Sequence, residues 1–153
     1  MRPGRRVAID FGQSRVGLAV SDQQAILASP LGTFPNSDDL SEIIQSIPED
    51  VIEVYVGLPT SLKGGKTAST SSAVAFASQM QKALNLPVRL VDERLTTSLS
   101  HARMREIGKS QRESKGFIDQ LAAVAILESA MTAERLTGQI PGVSVEDWKS
   151  QND

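Results

Sequence analysis

The chain has 153 residues, a formal net charge of −2 and no cysteine. This length suits one folded domain, and a composition of 40% hydrophobic and 22% charged residues excludes collagen-like and largely disordered classes. The lack of cysteine excludes disulfides and thiolate metal sites, and it fits a reducing compartment. We expect a cytoplasmic protein, because no stretch of the sequence suits a signal peptide or a membrane span.

Charge is unevenly distributed along the chain. Six acids and no base lie from Asp38 to Glu53, whereas five bases and two acids lie from His101 to Gly116. The small net charge argues against a protein that holds nucleic acid by charge alone, but the second segment could meet phosphate while the first faces away. A solvated surface is the alternative interpretation of both charge runs.

The first third of the chain predicts an antiparallel meander followed by a helix. Strands are expected at about 6–12, 15–21 and 25–34, because two tight polar connections separate these runs. A helix with apolar residues at helical spacing from Leu40 to Ile47 should follow, with aspartates at its start and Pro48 at its end.

Beyond residue 50 the predicted elements alternate between strand and helix. Strands are expected at 51–57 and 88–91 and helices at 71–85, 97–107 and 117–136, the second of these helices being basic. Such alternation implies right-handed parallel crossovers. We therefore predict an α/β fold with a mixed five-stranded sheet, in which three antiparallel strands are joined to two parallel ones, and with helices on both faces.

The last helix is followed by a segment without periodicity. Gly138 ends that helix, so we expect residues 1–137 to form a single domain. Residues 138–153 should then form a tail that is either docked on the domain or disordered.

Asp10 is the most informative residue, because it lies within the otherwise apolar strand from Val7 to Gly12. Burying an unpaired carboxylate is costly or forces it to take up a proton. An acid on a core strand therefore usually faces a cation, a metal ion or a hydrogen-bond network.

The turn after the strand at 88–91 holds the next candidate acids. Ligands in open α/β sheets collect at the carboxyl ends of strands, and Asp92 and Glu93 occupy that place here. Strand alternation sends the two side chains to opposite faces, so at most one easily shares a site with Asp10. Capping of the following helix, with Arg94 as the counter-charge, is the alternative role.

Asp119 is the third candidate acid. It lies in the first turn of the last predicted helix, on an inward stripe that continues through Ala123 and Ile126, and Lys115 precedes it by four residues. Three carboxylates suit an oxygen-only site for Mg²⁺ or Mn²⁺, and two such ions would hold a scissile phosphate for phosphodiester hydrolysis. A helix-end position without function is the alternative for Asp119.

The motifs around these acids resemble those of the YqgF family over roughly residues 5–136. The segments that match are Asp10-Phe11-Gly12, Arg15-Val16-Gly17, Ser21-Asp22, Gly57-Leu58-Pro59, Asp92-Glu93-Arg94-Leu95-Thr96-Thr97, Ile118-Asp119-Gln120, Ala122-Ala123 and Ile126-Leu127. The resemblance implies a ribonuclease-H-like fold with a divalent-metal nuclease site. The family is described as Holliday-junction resolvase-like and as nucleases that trim the precursor of 16S ribosomal RNA. By position, the resemblance places the catalytic and metal-binding acids on Asp10, Glu93 and Asp119 and a family lysine on Lys115.

Basic and hydroxyl residues near these acids are predicted to bind substrate. They are Arg15, Lys63, Lys66, Arg94, Thr96, Thr97 and Lys115. The segment Gly64-Gly65-Lys66-Thr67 looks like the end of a phosphate-binding P-loop, but Thr60 stands where its first glycine should be. We place Lys63 and Lys66 on a loop beside the metal site, with a plain surface loop as the alternative.

Other functional classes explain the sequence less well. The segment from Asp10 to Gly17 also resembles the first phosphate loop of sugar-kinase and actin-like phosphotransferases, but those folds clamp nucleotide between two domains. A non-catalytic RNA- or ribosome-binding module would have no use for inward-facing acids. We favour precursor rRNA over branched DNA as the substrate, cleaved by a monomer, free or docked on a ribosomal precursor particle. Symmetric cleavage of a four-way junction would instead require a dimer, and a weak homodimer is the alternative state.

Overall fold

The structure is a computed structural model that describes residues 1–59, 68–93 and 115–152, which are built around one sheet. Its strands are β1 (Arg5–Phe11), β2 (Arg15–Ser21), β3 (Ala28–Pro35), β4 (Val51–Leu58), β5 (Val88–Asp92) and β6 (Val143–Ser144). Its helices are α1 (Ser41–Ser46), α2 (Ala68–Leu84), α3 (Lys115–Thr137) and α4 (Val145–Asn152). The helix predicted at 97–107 lies outside the described residues.

The sheet combines an antiparallel meander with a parallel half. The strand order is β3-β2-β1-β4-β5-β6, with β1 antiparallel to β2 and β2 antiparallel to β3. The β4 strand runs parallel to both β1 and β5. The predicted arrangement of three antiparallel strands joined to two parallel ones is therefore confirmed.

The predicted strand count of five is wrong, because the described residues already form a sheet of six strands. The sixth strand, β6, comes from the tail and pairs antiparallel with β5, Ser144 opposite Arg89 and Val143 opposite Leu90. A strand of two residues is too short to show the alternation that marks strands in a sequence. Its place in the sheet depends on β5 rather than on its own residues.

Local hydrogen bonds explain why β3 and α1 begin later in the sequence than predicted. The Asp22 Oδ1 atom accepts from the backbone N–H groups of Ile26 (2.7 Å) and Leu27 (2.9 Å), so a closed turn occupies residues that we assigned to β3. Ala25 within that turn has a φ of 56°, which is incompatible with a strand. At α1, Asp39 Oδ1 accepts from the backbone N–H of Ser41 at 3.0 Å.

The side chains of the sheet divide into two apolar layers. On β1, Val7 and Ile9 belong to the layer formed with α1, α2 and α4. Ala8 faces the other way and packs with residues of α3 that include Ala123 and Ile126. Helices thus cover both faces, as predicted, and alternation along β1 directs Asp10 to the α3 face.

Candidate active site

Asp10 lies at the carboxyl end of β1, half-buried on the α3 face, opposite Gly17 of β2. Burial, followed by the charge and hydrogen bonding of Glu93 and then by the charge of Asp119, raises the pKa of Asp10 from its ordinary 3.8 to about 7. Asp10 and Glu93 share a side-chain hydrogen bond. All three predicted acids therefore come together at one end of the sheet.

Glu93 follows β5 directly and must reach across β4 to meet Asp10, because β4 separates β5 from β1. Gly57 of β4 makes this possible. A Cβ atom at Gly57 would lie 2.9 Å from Glu93 Oε1 and 2.6 Å from Ile126 Cδ1, closer than real side chains approach. Asp92 ends β5 in register with Leu58, and alternation directs it to the opposite face from Glu93.

Asp119 lies in the first turns of α3, half-buried, where the helix passes directly over β2. Gly17 of β2 permits this approach, since a Cβ atom there would lie 2.9 Å from Asp119 Cβ and would overlap the Asp119 carbonyl. Because Gly17 is also the register partner of Asp10, the close contact brings Asp119 beside Asp10. Gly17 and Gly57 both lie in the family motifs of the sequence, but those motifs alone do not indicate this role.

Arg15, which we predicted to bind substrate, pairs with Asp119. Its Nε donates to Asp119 Oδ2 at 2.6 Å, a charge-assisted hydrogen bond of short length. The Arg15 side chain is 44% exposed and that of Asp119 21% exposed, so the pair lies at the solvent boundary of the site.

The chemistry of these acids fits a hard divalent cation, although the ligands are not fully assembled for one. Three carboxylates supply oxygen donors only, and the raised pKa of Asp10 reflects burial first and then neighbouring negative charges that a cation would compensate. Within the described ranges, no group of three or more His, Cys, Asp or Glu side chains is already arranged to hold a metal ion. Asp10 and Glu93 meet, whereas Asp119 is engaged by Arg15.

The other predicted substrate-binding residues lie outside what the structure describes. They are Lys63, Lys66, Arg94, Thr96, Thr97 and the side chain of Lys115. Their predicted roles therefore stay predictions based on the sequence.

Comparison with known proteins identifies the family. Residues 4–133 match the family model described as RuvX, Holliday junction resolvase. The chain belongs to the RuvX family. This confirms the resemblance found in the sequence and places the chain among the nucleases, and so among the hydrolases. No helix in the described part of the chain is both long and apolar enough to cross a membrane.

Two relatives are similar to this chain over nearly its whole length. A protein of Clavibacter michiganensis subsp. michiganensis is 44% identical over 150 residues, which cover 95% of this chain and 93% of the relative. A protein of Leifsonia xyli subsp. xyli is 43% identical over 152 residues, covering 95% and 97%. Both are provisionally named pre-16S rRNA nuclease.

A solved structure shares the fold at low sequence identity. RuvC of Thermus thermophilus in complex with a Holliday junction substrate superposes with a TM-score of 0.56 and 15% identity, covering 90% of this chain and 99% of RuvC. The similarity confirms the predicted ribonuclease-H-like fold.

Proposed function

We propose that this RuvX-family protein is a divalent-metal-dependent endonuclease that trims the 5′ end of precursor 16S ribosomal RNA in the cytoplasm. The observation that carries the proposal is the convergence of Asp10, Glu93 and Asp119 at one end of the sheet. The names of relatives that are 43–44% identical favour precursor rRNA as the substrate. Its partners would be the precursor RNA and ribosomal precursor particles.

Asp10, Glu93 and Asp119 would be the catalytic, metal-binding acids. Mg²⁺ or Mn²⁺ held there would supply Lewis-acid stabilisation of the charge that develops on the scissile phosphate. Asp10, with its pKa raised to about 7, would act as an ionised ligand only after losing its proton. If Asp119 held the cation in place of Arg15, the Arg15 guanidinium would be available for a substrate phosphate.

The remaining substrate contacts would come from the residues named in the sequence analysis. Lys63, Lys66, Arg94 and Lys115 would bind backbone phosphates, and Thr96 and Thr97 would add hydroxyl donors. Binding through phosphates depends strongly on salt concentration, so alanine variants of the basic residues should flatten the dependence of affinity on salt.

The decisive experiment compares three variants with a matched control. Asp10→Asn, Glu93→Gln and Asp119→Asn should each reduce cleavage of a labelled precursor RNA by about 100-fold or more in Mg²⁺ or Mn²⁺, since each removes a proposed ligand charge. Asp92→Asn changes the neighbouring acid on the opposite face and should cleave at close to the wild-type rate. Wild-type cleavage by any of the first three variants would remove that residue from the site.

Resolution of four-way DNA junctions is the second candidate function. The description of the matching family, Holliday junction resolvase, favours it. The same variants should be tested on a labelled junction beside the precursor RNA and ATP. Cleavage of the junction alone would select this function, whereas tight RNA binding without cleavage of either substrate would indicate a non-catalytic binding module.

A further inference from the structure

A cavity with a mixed polar and apolar lining lies at the carboxyl end of β1, on the face opposite to the carboxylates. Its volume is about 380 Å³, within the range of roughly 300–1,000 Å³ that is typical of small-molecule pockets. The described residues that line it are Phe11, Gly12, Gln13, Asn36, Ala68, Ser69 and Ser72. They come from the turn after β1, the segment after β3 and the start of α2.

One wall of the cavity is held in place by its own contacts. The Phe11 ring stacks on Phe76 of α2, with ring centroids 4.6 Å apart and an interplanar angle of 29°. Asn36 is anchored twice, because its Nδ2 donates to the Gly12 carbonyl at 2.6 Å and its backbone N–H donates to the Ser14 carbonyl at 3.0 Å. This wall is already ordered, so ligand binding would cost it little conformational entropy.

The chemistry of the lining suits a nucleobase. An aromatic ring offers a surface for stacking, while the amide of Gln13 and the hydroxyls of Ser69 and Ser72 can each donate and accept hydrogen bonds. Proteins that bind single strands use this combination of aromatic and neutral polar groups to hold unstacked bases.

The cavity is placed to take the nucleotide beside the scissile phosphate. Asp10 and Phe11 are consecutive on β1, so their side chains point to opposite faces of the same strand end, about 3.3 Å apart along the strand. A nucleic-acid strand that crosses the sheet at the carboxyl end of β1 would present a phosphate to the carboxylates and an adjacent base to the cavity.

We propose that the cavity binds an unpaired nucleobase of the substrate strand, next to the phosphate held at the carboxylates. The inference rests on the proposed nuclease function and adds a base-binding subsite to it. It predicts a preference for unpaired over duplex strands, because a paired base cannot enter the cavity.

Neighbouring serines of α2 provide a matched pair of variants. Ser71 and Ser72 are both exposed, but of the two only Ser72 is among the described lining residues. Ser72→Phe should fill the cavity and weaken binding of a short oligouridylate by about tenfold or more, the loss expected when one base contact is removed. Ser71→Phe should bind like the wild type. Thermal unfolding should be alike in both variants, since both positions are exposed.

A second measurement distinguishes a base from a phosphate as the occupant. The wild type should bind oligouridylate about tenfold more tightly than an abasic ribose-phosphate chain of equal length, and Ser72→Phe should lose this discrimination. Oligothymidylate and its abasic counterpart, run in parallel, show whether RNA, DNA or both supply the base. Equal affinity of the wild type for the base-bearing and abasic chains of both kinds would overturn the proposal.

These measurements are made in Ca²⁺ and report binding, so they are independent of the cleavage assay. If Ser72→Phe loses base discrimination while the wild type cuts no substrate in Mg²⁺, the cavity assignment stands and the proposed nuclease function fails. If the wild type cleaves precursor RNA and Ser72→Phe binds like Ser71→Phe, the cavity assignment fails and the nuclease function stands.

Discussion

At the scale of single residues, Gly17 and Gly57 control how closely the carboxylates approach one another. Each glycine lies where a Cβ atom would overlap an acid or its backbone, Asp119 at Gly17 and Glu93 at Gly57. The acids come from three elements that are distant in sequence. They can converge because glycine has no Cβ atom at these two positions. The raised pKa of Asp10 is the electrostatic consequence of that convergence, added to the effect of burial.

Gly57→Ala should therefore separate Glu93 from Asp10. The new methyl group would meet Glu93 Oε1 at 2.9 Å and displace the carboxylate, so the pKa of Asp10 should fall from about 7 but stay above 3.8, because burial remains. Overpacking should also lower the free energy of unfolding by about 1–3 kcal/mol. Carboxyl NMR titration without divalent ions measures the pKa.

Gly32→Ala, whose Cβ would meet the Phe34 ring at 3.1 Å or more, is the control. An unchanged Asp10 pKa in Gly57→Ala would contradict this account.

Arg15 should compete with a divalent cation for Asp119. Arg15→Ala removes the guanidinium that pairs with Asp119, so Mn²⁺ should bind about 2–5-fold more tightly, in keeping with the small free energy of a partly exposed ion pair. Arg15→Lys, which keeps the positive charge, should change affinity less. Isothermal titration calorimetry with Mn²⁺ tests the expectation. Weaker Mn²⁺ binding by Arg15→Ala would show that Arg15 supports the site instead.

At the scale of elements, the tail contributes structure to the sheet. Strand β6 covers the outer edge of β5, and Arg89 fixes the preceding turn by donating to the carbonyls of Pro141 (2.9 Å) and Gly142 (2.6 Å). Helix α4 follows at once and buries Val145, with Trp148 packed against the same apolar layer. Because β6 pairs with this edge of β5, a strand of another chain cannot pair there.

Trp148→Ala should therefore destabilise the fold without touching the active site. Trp148 is half-buried, so we expect a loss of about 1–3 kcal/mol, less than for a fully buried tryptophan. Urea unfolding at neutral pH measures the change, with the adjacent exposed Lys149→Ala as the control. Equal stability of the two variants would mean that α4 is not held by this contact.

At the scale of the whole molecule, a buried ionic cluster joins the N-terminus to α3 and β4. Arg2 Nη2 lies 2.7 Å from Glu134 Oε1 and 2.8 Å from Glu53 Oε1, and the fully buried Arg6 lies 3.0 Å from Glu134 Oε2. Burial alone would raise the pKa of Glu134, but hydrogen bonds from Arg2 and the charge of Arg6 outweigh it and lower this pKa to about 2. Removing one charge of this cluster would leave its partner buried without an opposite charge, which is strongly destabilising.

This cluster should make the protein sensitive to acid. A carboxyl whose pKa is lower in the folded than in the unfolded state stabilises the fold above its unfolded pKa, here 4.5, and that contribution is lost as the pH falls towards 2. Glu134→Gln should lose about 3 kcal/mol at pH 7, because it leaves Arg6 buried without its counter-charge. The difference in the free energy of unfolding between Glu134→Gln and the wild type should shrink between pH 4.5 and 2, as chemical denaturation would measure.

Asp50→Asn, which breaks the exposed pair with Arg5, is the control and should lower the free energy of unfolding by less. An equal loss in the two variants would contradict this role of burial.

Local sequence patterns were enough to predict the order of most elements and to identify the candidate acids. Strand and helix signals act over a few neighbouring residues, so β1, β2, β4 and α3 could be predicted to within a few positions. An acid in the apolar strand β1 was conspicuous for the same local reason.

How these parts meet depends on contacts between segments that are far apart in the sequence. Arg15 and Asp119 pair across 104 residues of sequence, and Glu93 reaches Asp10 only because Gly57 lies between them. Strand β6 exists because β5 offers it an open edge. Such contacts have no local pattern, since their free energy depends on side chains that the fold brings together from distant segments.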